Sequence, residues 1–119
     1  MKRRVTQADV VRYTEGDCGL LAVEIHHVDK TWEVYATADW DHVFCVKEGM
    51  ALDIEGLRPV SELLAHWDVW DHQREPVAIS DYQIGFWFGQ KAWFGRYSAR
   101  RAKQLAPYLV AQAEAGLAA

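Results

Sequence analysis

The stretch that most constrains the fold is TWEVYATADWDHVFCVKEGMALDIEG, from Thr31 to Gly56. Its first part alternates and is rich in β-formers, which predicts a strand over about Thr31 to Ala38. HVFCV predicts a second strand and MALDIEG a third. The short KEG segment between those two leaves room only for a tight turn, so they form an antiparallel hairpin. Side chains alternate across a strand, which puts His42, Phe44 and Val46 on one face and Val43 and Cys45 on the other. Folding back through Lys47-Glu48-Gly49 brings Asp53 beside His42. Cross-strand neighbours have Cβ atoms roughly 4.5–5.5 Å apart, within reach of an imidazole–carboxylate hydrogen bond. The hairpin therefore predicts a His-Asp pair before any tertiary packing is considered.

The flanking segments read as helix. Thr6 with Asp9 three residues on is a short capping box, predicting a helix over about Gln7 to Tyr13. Glu15-Gly16-Asp17 ends it, and Leu21, Ala22 and Ile25 mark a second helix over about Cys18 to His27. Val60 to Trp67 is a third. PVAIS suggests a short strand and YQIGFWFG an aromatic one. Ser98 to Ala115 carries a helical stripe of Ala102, Leu105, Leu109 and Ala113, with Pro107 expected to kink it or to start a further helix. The 119 residues, half of them apolar and six of them Trp, suit one domain with a sizeable core. Helices, then an antiparallel sheet, then a helix define the α+β class.

Cys18 opens its helix directly after Gly16-Asp17. A buried cysteine is commonly a small apolar filler. At a helix N-terminus, however, backbone N–H groups and the helix dipole favour a thiolate, which is the nucleophilic form. A cysteine nucleophile needs a base to take its proton and a third group to orient the imidazole. Cys18, His42 and Asp53 supply those three residue types if the helix packs across the sheet. Cys45 falls on the other face of its strand and is expected to be an inert core thiol. Trp40, two residues before His42, would lie on the same face and shield the imidazole if the strand extends that far.

GDCGLLA, WDHVFCV and ALDIEG in this order resemble the papain-like superfamily of thiol enzymes, taken broadly to include transglutaminase-like and bacterial cell-wall peptidase domains. The likeness covers about Gly16 to Gly56, a third of the chain. It implies a papain-like core with Cys18 as nucleophile, His42 as general base and Asp53 as orienting acid. The backbone N–H of Cys18 would supply one oxyanion donor. Larger relatives place a Gln upstream of the cysteine as the second. Here that stretch reads VRYTEG, which leaves Tyr13 or Thr14 as candidates. The span from Cys18 to His42 is short for this superfamily, and Asp17 beside the thiol opposes the thiolate.

Charge and composition bound the partners. The net charge is −4, yet Lys91, Arg96, Arg100, Arg101 and Lys103 form a run without an acid. Such a run is a solvated helix flank, a site for an anionic partner, or a surface docking onto the acidic remainder of this chain or of a second copy, so a homodimer is one expectation. Phe86, Trp87, Phe88, Trp93 and Phe94, with Arg96, Arg100 and Arg101 nearby, read either as a core strand and turn or as an aromatic surface for a protein partner. No nucleic-acid-binding signature is present. HWDVWDH, with His66, Asp68, Asp71 and His72, matches no familiar zinc spacing, and His26-His27 is expected to cap carbonyls, so neither a metal nor a cofactor is expected. No apolar run approaches a membrane span, and MKRRVTQADVV has no signal-like apolar segment after its basic start. Two cysteines make no disulfide scaffold, and a cytoplasmic location is the expectation.

Two functional classes follow. One is a small cysteine hydrolase cleaving a peptide, isopeptide or amide bond through a thioester. The other is a catalytically inactive papain-like module that binds a protein, of a size suited to a phage or mobile-element inhibitor of a host protein.

Overall fold

The structure, a computed structural model, describes residues 4–14, 16–38, 40–67, 76–80, 83–84 and 91–119, the side chains of 67 and 91–96 excepted. The elements are α1 (Gln7–Thr14), α2 (Cys18–Val28), β1 (Glu33–Ala36), β2 (Val43–Lys47), β3 (Met50–Asp53), β4 (Gly56–Pro59), α3 (Val60–Trp67), β5 (Val77–Ala78) and α4 (Lys91–Ala118). The strands form one antiparallel sheet in the order β4-β3-β2-β1-β5. The α+β class read from the sequence is the one observed.

The central hairpin closes as the pattern required. Lys47 pairs with Met50, and the two residues between them, Glu48 and Gly49, have φ of 53° and 78°. Positive φ at both positions matches the right-handed twist of the flanking strands, and glycine takes the second at no steric cost. Alternation then sorts the sheet into two faces. Val34, Ala36, Val43, Cys45, Leu52 and Ile54 face α2 and α4 and build the main core. Phe44 and Ala51 face the other way and pack with Leu63 and Leu64 of α3 in a smaller cluster. Cys45 is fully buried in the main core and donates its thiol hydrogen to Ala22 O at 3.2 Å. Both cysteines are free.

Several elements differ from the sequence reading. The first strand is shorter than Thr31 to Ala38. A turn intervenes in which Trp40 N donates to Thr37 O at 2.9 Å. Trp40 adopts a φ of 66° in this turn and is exposed, so it is not on the strand face of His42 as expected. The edge strand β4 was not expected: Gly56-Leu57-Arg58-Pro59 carries no β-alternation of its own, and pairing with β3 makes it a strand. Gln83 and Ile84 are helical, whereas the YQIGFWFG segment was read as a strand; the rest of that segment lies outside the described residues. α4 starts earlier than Ser98 and runs through Pro107 as one helix. Its proline lacks the N–H that would bond one turn back, and the packing of Leu105, Ala106, Leu109 and Val110 into the core carries the helix across that gap.

α1 is tied to α4 by a buried ion pair. The capping box forms: Thr6 N donates to Asp9 Oδ2 at 2.9 Å and Asp9 N to Thr6 Oγ1 at 3.2 Å. The same carboxylate receives Arg101 Nε at 3.0 Å and Nη2 at 2.7 Å, a two-point contact. Arg101 Nη2 also donates to Arg4 O at 2.8 Å. Arg101 is therefore not a partner-binding cation. It is buried and neutralised within the chain, one residue's worth of the expected docking of the basic run onto the acidic remainder. Arg100 is exposed.

Removing one member of a buried pair leaves the other charge desolvated. Arg101→Met is expected to destabilise the fold by about 3 kcal/mol in chemical denaturation, and the Asp9→Asn/Arg101→Met double variant to recover part of that loss.

Candidate functional site

At one end of the sheet, where β2 begins and β3 ends, the chain gathers Cys18, His42, Asp53 and Arg58. His42 is fully buried just ahead of β2. Thr37 fixes its backbone from both sides: Thr37 N donates to His42 O at 2.9 Å, and Thr37 Oγ1 accepts from His42 N at 3.1 Å. The ring lies nearly parallel to Phe44, with centroids 6.0 Å apart and planes 19° apart. Its Nε2 meets Asp53 Oδ2 at 2.8 Å. An ionised carboxylate only accepts, so Nε2 carries the proton, and Nδ1 is the nitrogen that can take a proton from a thiol.

The register refines the expected pairing. Cys45 faces Leu52 and Val46 faces Ala51. Continuing that register sets Asp53 opposite Phe44, so Asp53 meets His42 on the diagonal rather than directly across. A diagonal neighbour on the same face is still within reach of a long ring.

Asp53 is almost entirely buried, and three donors converge on it. Oδ1 accepts from Glu55 N at 2.9 Å, an Asx turn that shapes the β3–β4 connection. Oδ2 accepts from His42 and also from Arg58 Nη2 at 3.1 Å. Burial pushes the Asp53 carboxyl up, but the His42 hydrogen bond and charge, the Arg58 charge and the Glu55 N–H outweigh it, and the group titrates below the ordinary aspartate value. Burial likewise opposes the His42 imidazolium. The Asp53 hydrogen bond, with the Cys18 sulfur beside the ring, outweighs it and raises His42 above the ordinary histidine value.

Cys18 arrives from the other layer. It is the first residue of α2 and packs half-buried at the margin of the main core. Its sulfur lies near enough to the His42 ring to favour the charged imidazole. α2 lies along β2, which carries its N-terminus to the end of the sheet where His42 sits. Asp17 precedes it as N-cap but makes no side-chain cap hydrogen bond. The first-turn N–H groups of a helix have no intrahelical acceptor, so the backbone around Cys18 and Gly19 is a donor surface beside the thiol.

The other sequence candidates fare differently. Tyr13 is buried and its hydroxyl donates to Ser98 O at 2.6 Å. Thr14 Oγ1 donates to Val10 O at 2.7 Å. Each hydroxyl has one proton and it is committed, so neither is an oxyanion donor as expected. Phe86, Trp87 and Phe88 lie outside the described residues. Trp93, Phe94 and Arg96 sit on the first turns of α4, with side chains outside the described ones. Asp68, Asp71 and His72 are also outside, and no cluster of metal-ligating side chains occurs among the described residues. His26 Nδ1 meets Trp32 O at 2.9 Å, a carbonyl contact as expected, although not with its own helix end. Thr37 and Arg58 were missed. Thr37 carries no signal in the sequence; Arg58 had one, its position just past the Asp53-Ile54-Glu55-Gly56 turn.

No family model, curated protein or solved structure matches this chain. Among the described residues no helix is long and apolar enough to cross a membrane.

The His42–Asp53 pair gives folding a definite pH dependence. His42 titrates higher in the fold, so its contribution is complete below about pH 6.5, the unfolded value, and fades as pH rises through the raised one. Asp53 titrates lower, so its contribution is complete above about pH 3.9 and fades as pH falls through the lowered one. Asp53→Asn is expected to cost about 2 kcal/mol between those limits. The gap in Tm between wild type and variant should narrow toward pH 9, and an equal gap at pH 5 and pH 9 contradicts the assignment.

Proposed function

We propose that this chain is a small cysteine hydrolase of papain-like character, acting on a peptide, isopeptide or amide bond. The observation that carries the reading is the buried His42–Asp53 pair, with the imidazole oriented by a 2.8 Å hydrogen bond and the Cys18 thiol near enough to influence the ring's charge. A filler cysteine has no use for an oriented imidazole, and a structural histidine has no use for a thiol. The order of Cys on a helix, His at the start of a strand and Asp on the next strand also supports the likeness to papain-like enzymes.

The chemistry follows the standard logic of a thiol nucleophile. His42 Nδ1 takes the proton of Cys18, and the thiolate attacks the carbonyl carbon. An S–C bond forms while the carbonyl π pair moves to oxygen. Backbone N–H groups at the start of α2 stabilise that oxyanion. As the carbonyl re-forms, the C–N bond breaks and the leaving amine takes the proton from His42. Water, giving a proton to His42, then attacks the thioester; the S–C bond breaks, the acid leaves and the Cys18 thiolate returns. Asp53 holds the ring and stabilises the imidazolium throughout. A shallow surface depression lined by Ala8, Val11, Arg12 and Asp17 reaches the residue next to Cys18.

Alkylation by iodoacetamide, followed by mass spectrometry for each cysteine, tests this. In the native protein Cys18 should react at neutral pH and Cys45 should not. His42→Ala should slow Cys18 at least tenfold below pH 7 through loss of the thiolate-stabilising imidazolium. A Cys18 that reacts only after unfolding, or equally fast without His42, points instead to the inactive binding module.

A further inference from the structure

The role of Arg58 is not explained by packing. It lies on the edge strand β4, opposite Ala51, on the same sheet face as Asp53 and His42. Its Nη2 is 3.1 Å from Asp53 Oδ2 and 3.6 Å from Glu55 Oε1. The contact to Asp53 is one-point rather than the two-point fork that a structural Arg–carboxylate clamp uses. Arg101 makes that fork on Asp9 in the same molecule. Arg58 Nε is buried with no hydrogen-bond partner among the described residues. The guanidinium thus forgoes its best geometry and shares one oxygen with the imidazole.

We propose that Arg58 is a positioning residue for His42, a fourth member of the constellation that acts through Asp53 on how tightly the imidazole holds its proton. The inference rests on the thiol-hydrolase reading for its purpose, though not for its physics. Oδ2 is the acceptor for both His42 Nε2–H and Arg58 Nη2–H. A cation on that oxygen withdraws part of the negative charge that would otherwise stabilise the imidazolium. His42 must take a proton from Cys18 and then surrender it to a leaving amine. A buried carboxylate paired with His42 and with no other cation favours the imidazolium more strongly, which works against the second step. Arg58 loosens that hold, and keeps Asp53 ionised as the medium becomes acidic.

Among the described residues, groups from several elements surround His42. Cys18 comes from α2, Asp53 from β3 and Arg58, through Asp53, from β4. α3 turns the apolar Leu63 and Leu64 to this face and keeps Glu62 and His66 on its exposed side. Tyr35 of β1 packs in the same cluster. Glu55 Oε1 lies 3.6 Å from Arg58 Nη2, and among these described groups Arg58 is the permanent cation.

The test is the titration of the His42 ring, followed by NMR without any substrate, in wild type, Arg58→Met and Arg58→Lys. The account expects the Arg58→Met midpoint to rise by roughly half a unit or more, half a unit being what removing one nearby cation gives even when screening is as strong as in bulk water, with a dielectric of about 80. Arg58→Lys, which restores the charge, should return the midpoint close to wild type. Should Arg58→Met fail to fold, Arg58→Gln keeps a donor for Oδ2 without the charge and serves the same comparison. An unchanged midpoint in the uncharged variants, or an equal rise in Arg58→Lys, overturns the proposal and leaves Arg58 a packing residue. The titration does not involve Cys18 reactivity. Its failure is thus separable from failure of the hydrolase reading, which the alkylation rates report.

Discussion

The carboxylate of Asp53 is the point on which both the fold and the candidate site depend. One oxygen closes the turn into β4 by accepting from Glu55 N, and the other holds His42 and Arg58. A buried carboxylate without donors is expensive, and one with three is a rigid reference point. Because the turn and the histidine share it, the end of the sheet and the orientation of the imidazole are specified together. Thr37, the residue after β1, completes the arrangement by clamping the backbone of His42. The ring of His42 is thus held by Asp53 and its backbone by Thr37.

The two layers divide their tasks. The α2–α4 side carries the large core, Tyr13 tied to Ser98 and α1 tied through Asp9 and Arg101. The α3 side carries the smaller cluster and, beyond Phe44, the polar groups of the site. Cys18 belongs to the first layer and His42 to the second. They meet only because α2 starts at the rim of the sheet. A helix beginning a residue or two earlier would carry the thiol off the ring by a substantial fraction of a turn, since each residue advances a helix by about 100° and 1.5 Å.

The sequence made the hairpin legible because alternation with a two-residue turn has few other solutions. Asp53 and His42 could be paired from it, although the diagonal offset depended on a register that the KEG turn alone does not specify. Cys18 was legible as a helix opener, but its approach to His42 is a matter of packing between layers, which no local pattern encodes. Arg58 and β4 were missed because a four-residue edge strand with Arg and Pro is formed by its neighbour, not by its own residues. Which base of the C-terminal run docks within the chain was not legible for a related reason. A run of bases looks like a surface until the fold shows which one meets a buried carboxylate 92 positions away in the chain. Tyr13 and Thr14 failed as donors because a hydroxyl has a single proton, and carbonyls of α4 and α1 claim it.

The claim at the centre of this account is that Cys18 performs covalent chemistry with His42 as its base. Acylation by an activated ester such as p-nitrophenyl acetate tests it most directly, with intact-mass and peptide-level mass spectrometry locating the acyl group. The account predicts a burst of p-nitrophenol, a thioester at Cys18 that wild type then hydrolyses, and little acylation at that site in His42→Ala. Release of p-nitrophenol indistinguishable from that of Cys18→Ala, with no acyl group on Cys18, would contradict it.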